Sequence, residues 1–424
     1  HFEQLVDLKK KYSDLEVLLA IPSIPTEKRR EIISKLEQIK VAVRTVPSFH
    51  ELIADQKKMT DIQNLSLDDI LPRARVAKNL VENAHQKTLF VSGAGGSIGS
   101  EIARQLLDND PKEIILYEIS EYNLFNLERA CIAAKQSKGL NTKIIPILGD
   151  IKDSSNLNYL FKKFSIDCIY HAAAYKHVPL VEDENNISSA CENNIIGTYT
   201  LAKYAIEHKI KSFVMISTDK AVRPSNVMGA SKRMAEIIIQ SLNSSQDFTK
   251  FSMVRFGNVI NSSGSVIPLF IDQISKGGPL TITHRNVTRY FMTIPEASNL
   301  VLQAAQMSSG GEVFILDMGE QLKIYDLAKK LIHLSGRNIA SEPESEGIEI
   351  VEVGLRPGEK MFEELLISGE QLPTDNPKIF MSMESFPSFE IIKPIIQSIK
   401  NAITQNDHAQ IIKLLKQNVE GYGL

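Results

Sequence analysis

An acidic and a basic side chain stand side by side in the stretch FVMISTDKAVRPSNVMGASKR, which spans residues 213–233. Asp219 and Lys220 directly follow an apolar run that is typical of a buried strand. Such a pair can protonate one substrate atom and deprotonate another, provided that burial leaves the acid protonated and the base neutral when they act. Thr218 adds a hydroxyl that can hydrogen-bond a substrate oxygen. The alternative is a solvated loop pair that contributes little.

A glycine-rich turn lies between a predicted strand and a predicted helix in LFVSGAGGSIGSEIARQLL. Gly93 permits a tight turn, Gly96 lets the backbone approach a pyrophosphate, and Gly99 lets the helix pack closely, with its N-terminus toward the phosphates. Glu118 follows Gly99 by 19 residues, at the end of the next strand. A carboxylate there hydrogen-bonds an adenosine ribose and repels a 2′-phosphate, which favours NAD over NADP. The alternative is a glycine turn that binds nothing.

Further cofactor contacts are expected along the same edge. Asp150 follows the third strand, where it can meet the adenine edge, although a surface acid without a role is the alternative. The other predicted cofactor contacts are Gly95, Ser97, Ile98, Ile151, Ala172, Ala173, Tyr175 and Lys232.

Short apolar runs alternate with amphipathic stretches from Thr88 onward: TLFVSG, EIILYE, KIIPILGD, DCIYHAAA, KSFVMIST and FSMVRFGN. This alternation predicts an α/β fold with a doubly wound parallel sheet, which binds ligands at the carboxyl ends of its strands. The segments GPLTIT, GEVFILDMG and KIYDLAKKLIHLSG predict a smaller, mixed substrate-binding portion. Two amphipathic runs, IIKPIIQSIKNAI and HAQIIKLLKQNV, predict a C-terminal helical tail.

Residues 1–50 alternate helix, strand, helix and strand, which predicts the second half of an α/β domain. Two parallel strands are too few to form a sheet buried on both faces, and the chain opens on His1 rather than Met, so we expect it to be part of a longer protein. The predicted divisions are an α/β remnant at 1–50, a linker with short helices at 51–86, a catalytic domain at 87–375 (cofactor part mainly 87–260, substrate part mainly 261–375) and the tail at 376–424.

The composition is that of an ordinary soluble globular protein, with 43% apolar and 23% charged residues among 424. A net charge of -3 without a dense run of Lys and Arg gives no indication of nucleic-acid binding. Cys131, Cys168 and Cys191 form neither a metal-binding spacing nor a disulfide framework, so we predict a reducing cytosolic setting and no metal site. The sequence has no apolar run long enough to span a bilayer.

Several blocks together resemble one family. The spacing Gly-x-x-Gly-x-x-Gly and the run HAAAYKHV are similar to those of the extended short-chain dehydrogenase/reductase superfamily. Within it, residues 85–375 most resemble the UDP-N-acetylglucosamine 4,6-dehydratases of the large, membrane-anchored bacterial type. The blocks that carry this resemblance are HAAAYKHVPLVE, NNIIGTYTLAKYA, FVMISTDKAVRPSNVMGASKR, VRFGNVINSSGSVIPLF, TRYFMTIPEA, LDMGE and GLRPGEKMFEELL.

The resemblance places five residues of the 213–233 stretch in the catalytic site: Thr218, Asp219, Lys220, Met228 and Lys232. Asp219 is expected to protonate the C6 oxygen of the sugar, and Lys220 to take the C5 proton. The large members carry methionine, here Met228, where related enzymes have the tyrosine of Tyr-x-x-x-Lys; Lys232 is expected to hold the nicotinamide ribose. Methionine cannot accept a proton, so Asp219 or a water held by Thr218 must deprotonate the C4 hydroxyl. The alternative for Met228 is a plain core residue.

Substrate contacts are expected from fork-shaped and amide donors that suit phosphate oxygens, and from the loop after the fourth strand. The alternative for His177 is a structural histidine. The predicted substrate contacts are Lys176, His177, Asn258, Arg289, Arg356 and Glu359.

The leading hypothesis is an NAD-dependent UDP-N-acetylglucosamine 4,6-dehydratase. The alternatives are a 4-epimerase or 4-reductase on the same fold and a non-catalytic NAD-binding protein. The resemblance also implies that the full-length protein lies on the cytoplasmic side of the bacterial inner membrane, held there only by a segment outside this sequence. A homo-oligomer paired through helices at 186–208 is expected, with a monomer as the alternative.

Overall fold

The computed structural model describes residues 2–12, 15–21, 24–46, 63–64, 84–260, 262, 264–340, 347–366 and 371–423. Most of the predicted linker at 51–86 lies outside these residues. In chain order the described α-helices are α1 (Phe2–Lys11), α2 (Thr26–Gln38), α3 (Ser97–Leu107), α4 (Glu121–Lys138), α5 (Ser154–Lys163), α6 (Val178–Val181), α7 (Glu184–Cys191), α8 (Thr198–Glu207), α9 (Val227–Ser244), α10 (Val266–Ser275), α11 (Ile294–Met307), α12 (Ile324–Leu334), α13 (Phe389–Thr404) and α14 (His408–Asn418). A π-helical segment, Glu192–Gly197, joins α7 to α8.

The described strands are β1 (Glu16–Leu19), β2 (Ala42–Thr45), β3 (Gln63–Asn64), β4 (Thr88–Ser92), β5 (Glu113–Glu118), β6 (Lys143–Leu148), β7 (Cys168–His171), β8 (Ser212–Ile216), β9 (Lys250–Arg255), β10 (Asn258–Val259), β11 (Leu280–Ile282), β12 (Thr288–Arg289), β13 (Phe291–Met292), β14 (Val313–Leu316), β15 (Leu322–Lys323), β16 (Ile350–Glu352), β17 (Leu372–Pro373) and β18 (Ile379–Ser382). Within the described ranges, no helix has the length and apolar content to cross a bilayer, and no cluster of His, Cys, Asp and Glu is placed to hold a metal ion.

The chain divides into two compact units. The first unit comprises His1–Val76, Ile260–Thr293 and Gly319–Leu355, and the second comprises Ala77–Val259, Ile294–Met318 and Arg356–Leu424. The predicted catalytic domain at 87–375 is therefore shared between the two units, and the predicted domain boundaries stay predictions.

The second unit is built on a central sheet of nine described strands in the order β17-β18-β14-β9-β8-β7-β4-β5-β6. Strands β4 to β9 confirm the six predicted strands, and every pair from β14 to β6 is parallel. Strand β4 is buried along its whole length, as expected of a strand covered on both faces. The strand order reverses between β4 and β7, where doubly wound sheets bind their ligands. The predicted α/β fold is confirmed.

One predicted strand belongs to a different place. GEVFILDMG contains β14, which we assigned to the smaller mixed portion, yet β14 pairs in parallel with β9 as a seventh parallel strand of the central sheet. The prediction was wrong because the segment 259–293 interrupts the strand–helix alternation before α11 and β14 complete the crossover. Strand β18 then pairs antiparallel with β14, and β17 lies beyond β18 at this edge of the sheet.

The predicted helical tail is confirmed as α13 and α14, which pack against α7 and α9. Their buried side chains, among them Ile396 and Leu415, share one apolar cluster with Ile195, Leu201 and Met234. Much of the apolar side of the segment 186–208, expected to pair with a second subunit, is thus covered within the same chain. The homo-oligomer stays a prediction.

The first unit contains the N-terminal fragment, whose predicted helix–strand–helix–strand order is confirmed by α1, β1, α2 and β2. Strands β1 and β2 pair in parallel, and β3 adds an antiparallel strand to β2. Helix α2 packs against α12, where Lys330 and Glu37 lie 3.5 Å apart. Two further strand pairs, β11 with β16 and β12 with β15, belong to the same unit.

Four buried charged side chains tie α9 to β9 and to the segment after β18. Arg255, which is fully buried, lies 2.6 Å from both Glu236 and Glu384, and Arg233 lies 3.0 and 2.8 Å from the same two carboxylates. Burial by itself would raise the pKa of Glu236, but the charges and hydrogen bonds of Arg255, and then Arg233, outweigh it and bring the value to about 2. Ser217 Oγ also donates to Glu236, at 2.6 Å.

His171 at the end of β7 is buried in its neutral form. Its Nδ1 lies 2.7 Å from Ser92 Oγ, and its Nε2 lies 2.8 Å from Thr198 Oγ1, so it joins β4 to α8. Burial and, second, the positive charge of Lys232 lower the pKa of His171 to about 3.

Glu384→Ala tests the buried network. The substitution leaves Arg233 and Arg255 without one of their two carboxylates in a buried site, and we expect it to lower the free energy of unfolding by about 3–5 kcal/mol. Glu207→Ala, which breaks the exposed Lys203–Glu207 pair, should cost no more than about 0.5 kcal/mol. Urea unfolding of both variants measures the difference, and equal effects would show that the buried network does not stabilise the fold.

His171 predicts how stability depends on pH. The pKa of His171 is lowered in the folded chain, so below the ordinary value of 6.5 the unfolded chain binds more protons than the folded chain. The free energy of unfolding therefore decreases as the pH is lowered below 6.5. The loss between pH 8 and pH 5 should be about 2 kcal/mol from this residue alone. In His171→Gln, urea unfolding should show a pH-dependent loss smaller by that amount. An unchanged loss would contradict the buried neutral histidine.

Candidate active site

A cleft opens at the carboxyl ends of β4, β5, β6 and β7, with about 640 Å³ of empty space including its open mouth. This is the place at which the doubly wound sheet is expected to bind a dinucleotide. Most predicted cofactor residues lie along it. Its lining includes Gly93, Gly96, Glu118, Asp150, Ile151, Ala172, Ala173 and Tyr175, together with Asn193, which the sequence did not single out.

The glycine turn has room for a phosphate at one position and none for a side chain at two others. Gly93 has a φ of +64°, and a Cβ there would lie 2.6 Å from the Cα of Ala173. A Cβ on Gly99 would lie 2.1 Å from the Gly93 carbonyl oxygen, so α3 packs directly on the turn. Gly96 is the N-cap of α3 and faces open space apart from that oxygen. Ser97 and Ile98 follow as the first helical residues, and the N-terminus of α3 fits an anionic group.

Glu118 is a buried carboxylate held by backbone donors. Gly95 N donates to its Oε2 at 2.8 Å, and Ser120 N donates to its Oε1 at 2.9 Å. Both bonds fix the carboxylate at the cleft, where it presents negative charge beside the glycine turn. This placement suits the diol of an adenosine ribose and disfavours the 2′-phosphate of NADP.

Asp150 and Ile151 line the cleft on the far side of Glu118. The Asp150 carboxylate accepts from Lys152 N at 2.9 Å and lies 3.4 Å from Lys152 Nζ. Ile151 is buried and offers an apolar surface. Lys152 balances the charge of Asp150. The predicted contact of Asp150 with adenine stays a prediction.

Lys232 is a buried ammonium, and the described residues give its Nζ no hydrogen-bond partner. Burial lowers its pKa to about 8, against an opposing effect of the Glu236 charge. A buried cation without acceptors is costly, so ligand oxygens at this position would stabilise it. Met228, one turn earlier in α9, is 2% exposed and packs in the apolar cluster. The structure therefore places Met228 as a core residue and Lys232 as a group ready for a ligand.

Asn194 is a buried polar residue that the sequence analysis missed. Its Nδ2 donates to Tyr175 O and to Ser231 Oγ, both at 3.0 Å, and its Oδ1 accepts from Tyr175 N at 2.9 Å. It thus fixes the loop after β7 to α9. The available signal was an asparagine pair inside an otherwise apolar stretch, which here forms a π-helical segment of the kind often found at functional sites.

Asp219 and Lys220 lie directly after β8, in a 3-10 turn that Thr218 caps. Asp219 is 1% exposed, and its Oδ1 accepts from Lys220 Nζ at 3.0 Å and from Thr218 Oγ1 at 2.9 Å. Among the described residues, its Oδ2 has no hydrogen-bond partner. Asp219 is buried, Lys220 is 22% exposed, and the two are hydrogen-bonded, so they do not form a solvated loop pair.

Lys220 Nζ has two more oxygen atoms near it. It donates to Asn258 Oδ1 at 3.1 Å and lies 3.5 Å from Glu363 Oε1. Asn258, expected at the diphosphate, therefore contacts the catalytic pair first, and its diphosphate contact stays a prediction. Glu363 was missed because 143 residues separate it from Lys220.

The remaining predicted substrate residues fall into three places. Lys176 and His177 lie in the loop after β7; burial and then the Lys220 charge lower the pKa of Lys176, and burial and then the Lys176 charge lower that of His177. Arg356 is exposed, and its backbone N donates to Glu359 Oε2 at 3.2 Å. Arg289 belongs to the first unit, where its Nη1 donates to Thr288 O at 2.7 Å. All five stay predicted substrate contacts.

Comparison with known proteins identifies relatives along most of the chain. The family described as polysaccharide biosynthesis protein matches residues 89–384. Capsular polysaccharide biosynthesis protein CapD of Staphylococcus aureus is 44% identical over 88% of this chain, and the chain covers 61% of CapD. UDP-glucose 4-epimerase of Rickettsia canadensis is 32% identical over 68% of this chain and 80% of its own length. The chain thus spans about three fifths of CapD, its relative of higher identity.

Two solved structures share the fold. Pen from Bacillus thuringiensis is 34% identical, with a TM-score of 0.60 over 72% of this chain and 90% of its own. A double mutant of DesIV, dTDP-glucose 4,6-dehydratase from Streptomyces venezuelae, was solved with NAD bound; it is 23% identical, with a TM-score of 0.54 over 65% of this chain and 87% of its own. The chain belongs to the polysaccharide biosynthesis protein family and has the Rossmann-type fold of the extended short-chain dehydrogenases/reductases.

Proposed function

We propose that the chain is an NAD-dependent nucleotide-sugar 4,6-dehydratase that acts on UDP-N-acetylglucosamine. The observation that carries the proposal is the hydrogen bond between buried Asp219 and partly buried Lys220, at the sheet edge that also carries the glycine turn. The capsular role in CapD's name and the NAD bound to DesIV support a sugar-nucleotide substrate and this cofactor.

The residues of the cleft fit NAD. The N-terminus of α3 at Gly96 would hold the pyrophosphate, Glu118 the adenosine ribose, and the Lys232 ammonium the nicotinamide ribose. Bound NAD would supply the hydride acceptor for C4 and return the hydride to C6 within one turnover, which makes it a resident group. Lys232 gains the oxygen partners that the described protein residues do not offer it.

The catalytic pair can carry the proton transfers without a tyrosine. Thr218 Oγ1 donates to Asp219 Oδ1, so a proton leaving the C4 hydroxyl reaches Asp219 through the Thr218 hydroxyl. Asp219, now a carboxylic acid, gives that proton to the C6 oxygen, which departs as water. Lys220, in its neutral form, takes the C5 proton and later returns a proton to C5. Charge and protons balance over the cycle, and Met228 has no part in it.

A 4-epimerase is the second candidate, because the Rickettsia relative carries that name. Epimerisation needs removal and return of the C4 hydride and of the C4 hydroxyl proton, and it has no use for an acid and a base at C6 and C5. The contact between buried Asp219 and partly buried Lys220 therefore favours dehydration. We also propose, on the resemblance of the sequence blocks, that the full-length protein is membrane-anchored and faces the cytoplasm.

Mass spectrometry of UDP-N-acetylglucosamine after incubation in deuterated water tests the reaction. Without added NAD, the product should be lighter by one water and should retain one deuteron on carbon after return to ordinary water. Asp219→Asn and Lys220→Met should each lower turnover by about 100-fold or more. Asp326→Asn and Lys329→Met, which alter an exposed pair 2.9 Å apart, serve as matched controls and should keep full turnover. An unchanged mass with a C4 epimer would refute dehydration and favour the epimerase.

Glu118 predicts the preference between cofactors. Its fixed carboxylate should repel a 2′-phosphate, so that NAD binds at least about tenfold more tightly than NADP. Glu118→Gln keeps the size and removes the charge, and it should narrow that preference by about tenfold, or about 1.4 kcal/mol. Glu121→Gln, an exposed neighbour in the first turn of α4, should leave it unchanged. Calorimetric titration of cofactor-free protein measures both; a preference insensitive to Glu118 would contradict its assignment.

A further inference from the structure

Glu363 lies against the catalytic pair although it comes from a distant part of the chain. It is 5% exposed, and its Oε1 lies 3.5 Å from Lys220 Nζ. On its other side Lys220 Nζ is 3.0 Å from Asp219 Oδ1, so two buried carboxylates flank one lysine. A buried carboxylate is expensive unless a cation or donors balance it, which makes the contact more than a chance approach.

The segment that carries Glu363 is hydrogen-bonded to residues 222–226, which follow Lys220 in the chain. Lys360 Nζ donates to Val222 O at 2.9 Å, and Ser225 Oγ donates to Gly358 O at 2.7 Å. Asn226 Nδ2 donates to the same carbonyl at 3.0 Å. These hydrogen bonds hold the segment against the loop and thereby position Glu363 beside Lys220. The same segment carries Arg356 and Glu359, the proposed substrate contacts.

The surroundings of Lys220 match an ammonium ion. Three oxygen atoms, from Asp219, Asn258 and Glu363, lie within 3.5 Å of Nζ, and an ammonium has three N–H donors to offer. Charged groups of the described residues that face Lys220 include the carboxylates of Asp219 and Glu363 and, with opposite effect, the ammonium of Lys176. Both carboxylates are in direct contact, so together they favour the protonated lysine.

We propose that Glu363 is a positioning residue for Lys220: it holds the ammonium in the resting site and sets the pH at which Lys220 becomes the neutral base. The use of Lys220 as the base rests on the proposed function, whereas the charge contact does not. Removal of the Glu363 charge takes away a carboxylate that favours the ammonium. Lys220 then loses its proton at lower pH, and it keeps Asp219 and Asn258 as hydrogen-bond acceptors.

The pH dependence of Lys220 labelling tests the proposal directly. A small amine acylating reagent reacts only with the neutral amine, and peptide mass spectrometry follows Lys220, with the exposed Lys211 as internal reference. In Glu363→Gln the labelling midpoint should move about one pH unit lower, which is about tenfold faster labelling at a fixed pH below the midpoint. Glu363→Asp shortens the side chain by one methylene and moves the carboxylate away from Lys220. The labelling midpoint should therefore move in the same direction as in Glu363→Gln, but less far. The Asp variant carries the test if the Gln variant does not fold, which near-UV circular dichroism establishes.

Glu364→Gln is the matched control. Glu364 is the next residue in the segment, and it forms an exposed pair with Arg223 at 2.6 Å, a contact worth little energetically. The labelling midpoint of Lys220 in this variant should equal that of the unmodified chain. A midpoint that stays unchanged in Glu363→Gln, or moves equally in Glu364→Gln, would overturn the role of Glu363.

Turnover provides the second readout and separates the two proposals. In Glu363→Gln the acid limb of the kcat profile should move lower by the same pH increment as the labelling, while KM at the optimum changes little. A chain that removes no water from the sugar nucleotide refutes the proposed function, yet the labelling still decides whether Glu363 controls Lys220. An active chain whose labelling and acid limb do not respond to Glu363→Gln refutes only the further inference.

Discussion

The buried pairing of Arg233 and Arg255 with Glu236 and Glu384 is the constraint on which the site depends. These charges fix α9 against β9 and against the segment after β18, in an environment where any unpaired member would be costly. Helix α9 carries Lys232, and Ser217, bonded to Glu236, directly precedes the catalytic turn. The network therefore helps to position both α9, with Lys232, and the turn that carries Asp219 and Lys220.

Burial determines the chemistry that each charged group is suited to. Lys232 is desolvated, and the described residues give its Nζ no acceptor, so oxygen atoms of a ligand would stabilise it. Lys220 Nζ lies within 3.5 Å of oxygen atoms of Asp219, Asn258 and Glu363, surroundings that suit a protonated amine. Asp219 keeps one oxygen, Oδ2, unbonded within the described part of the chain. Lys232 and Lys220 thus lie in different surroundings, the first desolvated and the second beside oxygen acceptors.

Relations carried by local pattern were predictable from the sequence. The glycine turn, Glu118, the six strands and the Asp219–Lys220 pair each combine a short motif with an adjacent strand, and the parallel sheet then brings the strand ends to one edge. Glu363, Asn194 and the place of β14 were not predictable in this way. Each depends on a partner that lies from 19 to more than 100 residues away, and no local periodicity records such a contact.

By itself, then, the sequence determined the class of fold, the edge of the sheet at which the glycine turn lies, and the place of Asp219 and Lys220 at that edge, because these follow from strand alternation and from residues adjacent in the chain. Only the tertiary structure decided that Met228 is core, that α13 and α14 cover the 186–208 segment, and that a second carboxylate reaches Lys220. The physical reason is that burial and charge balance are properties of the packed core, where segments distant in the chain exclude water together.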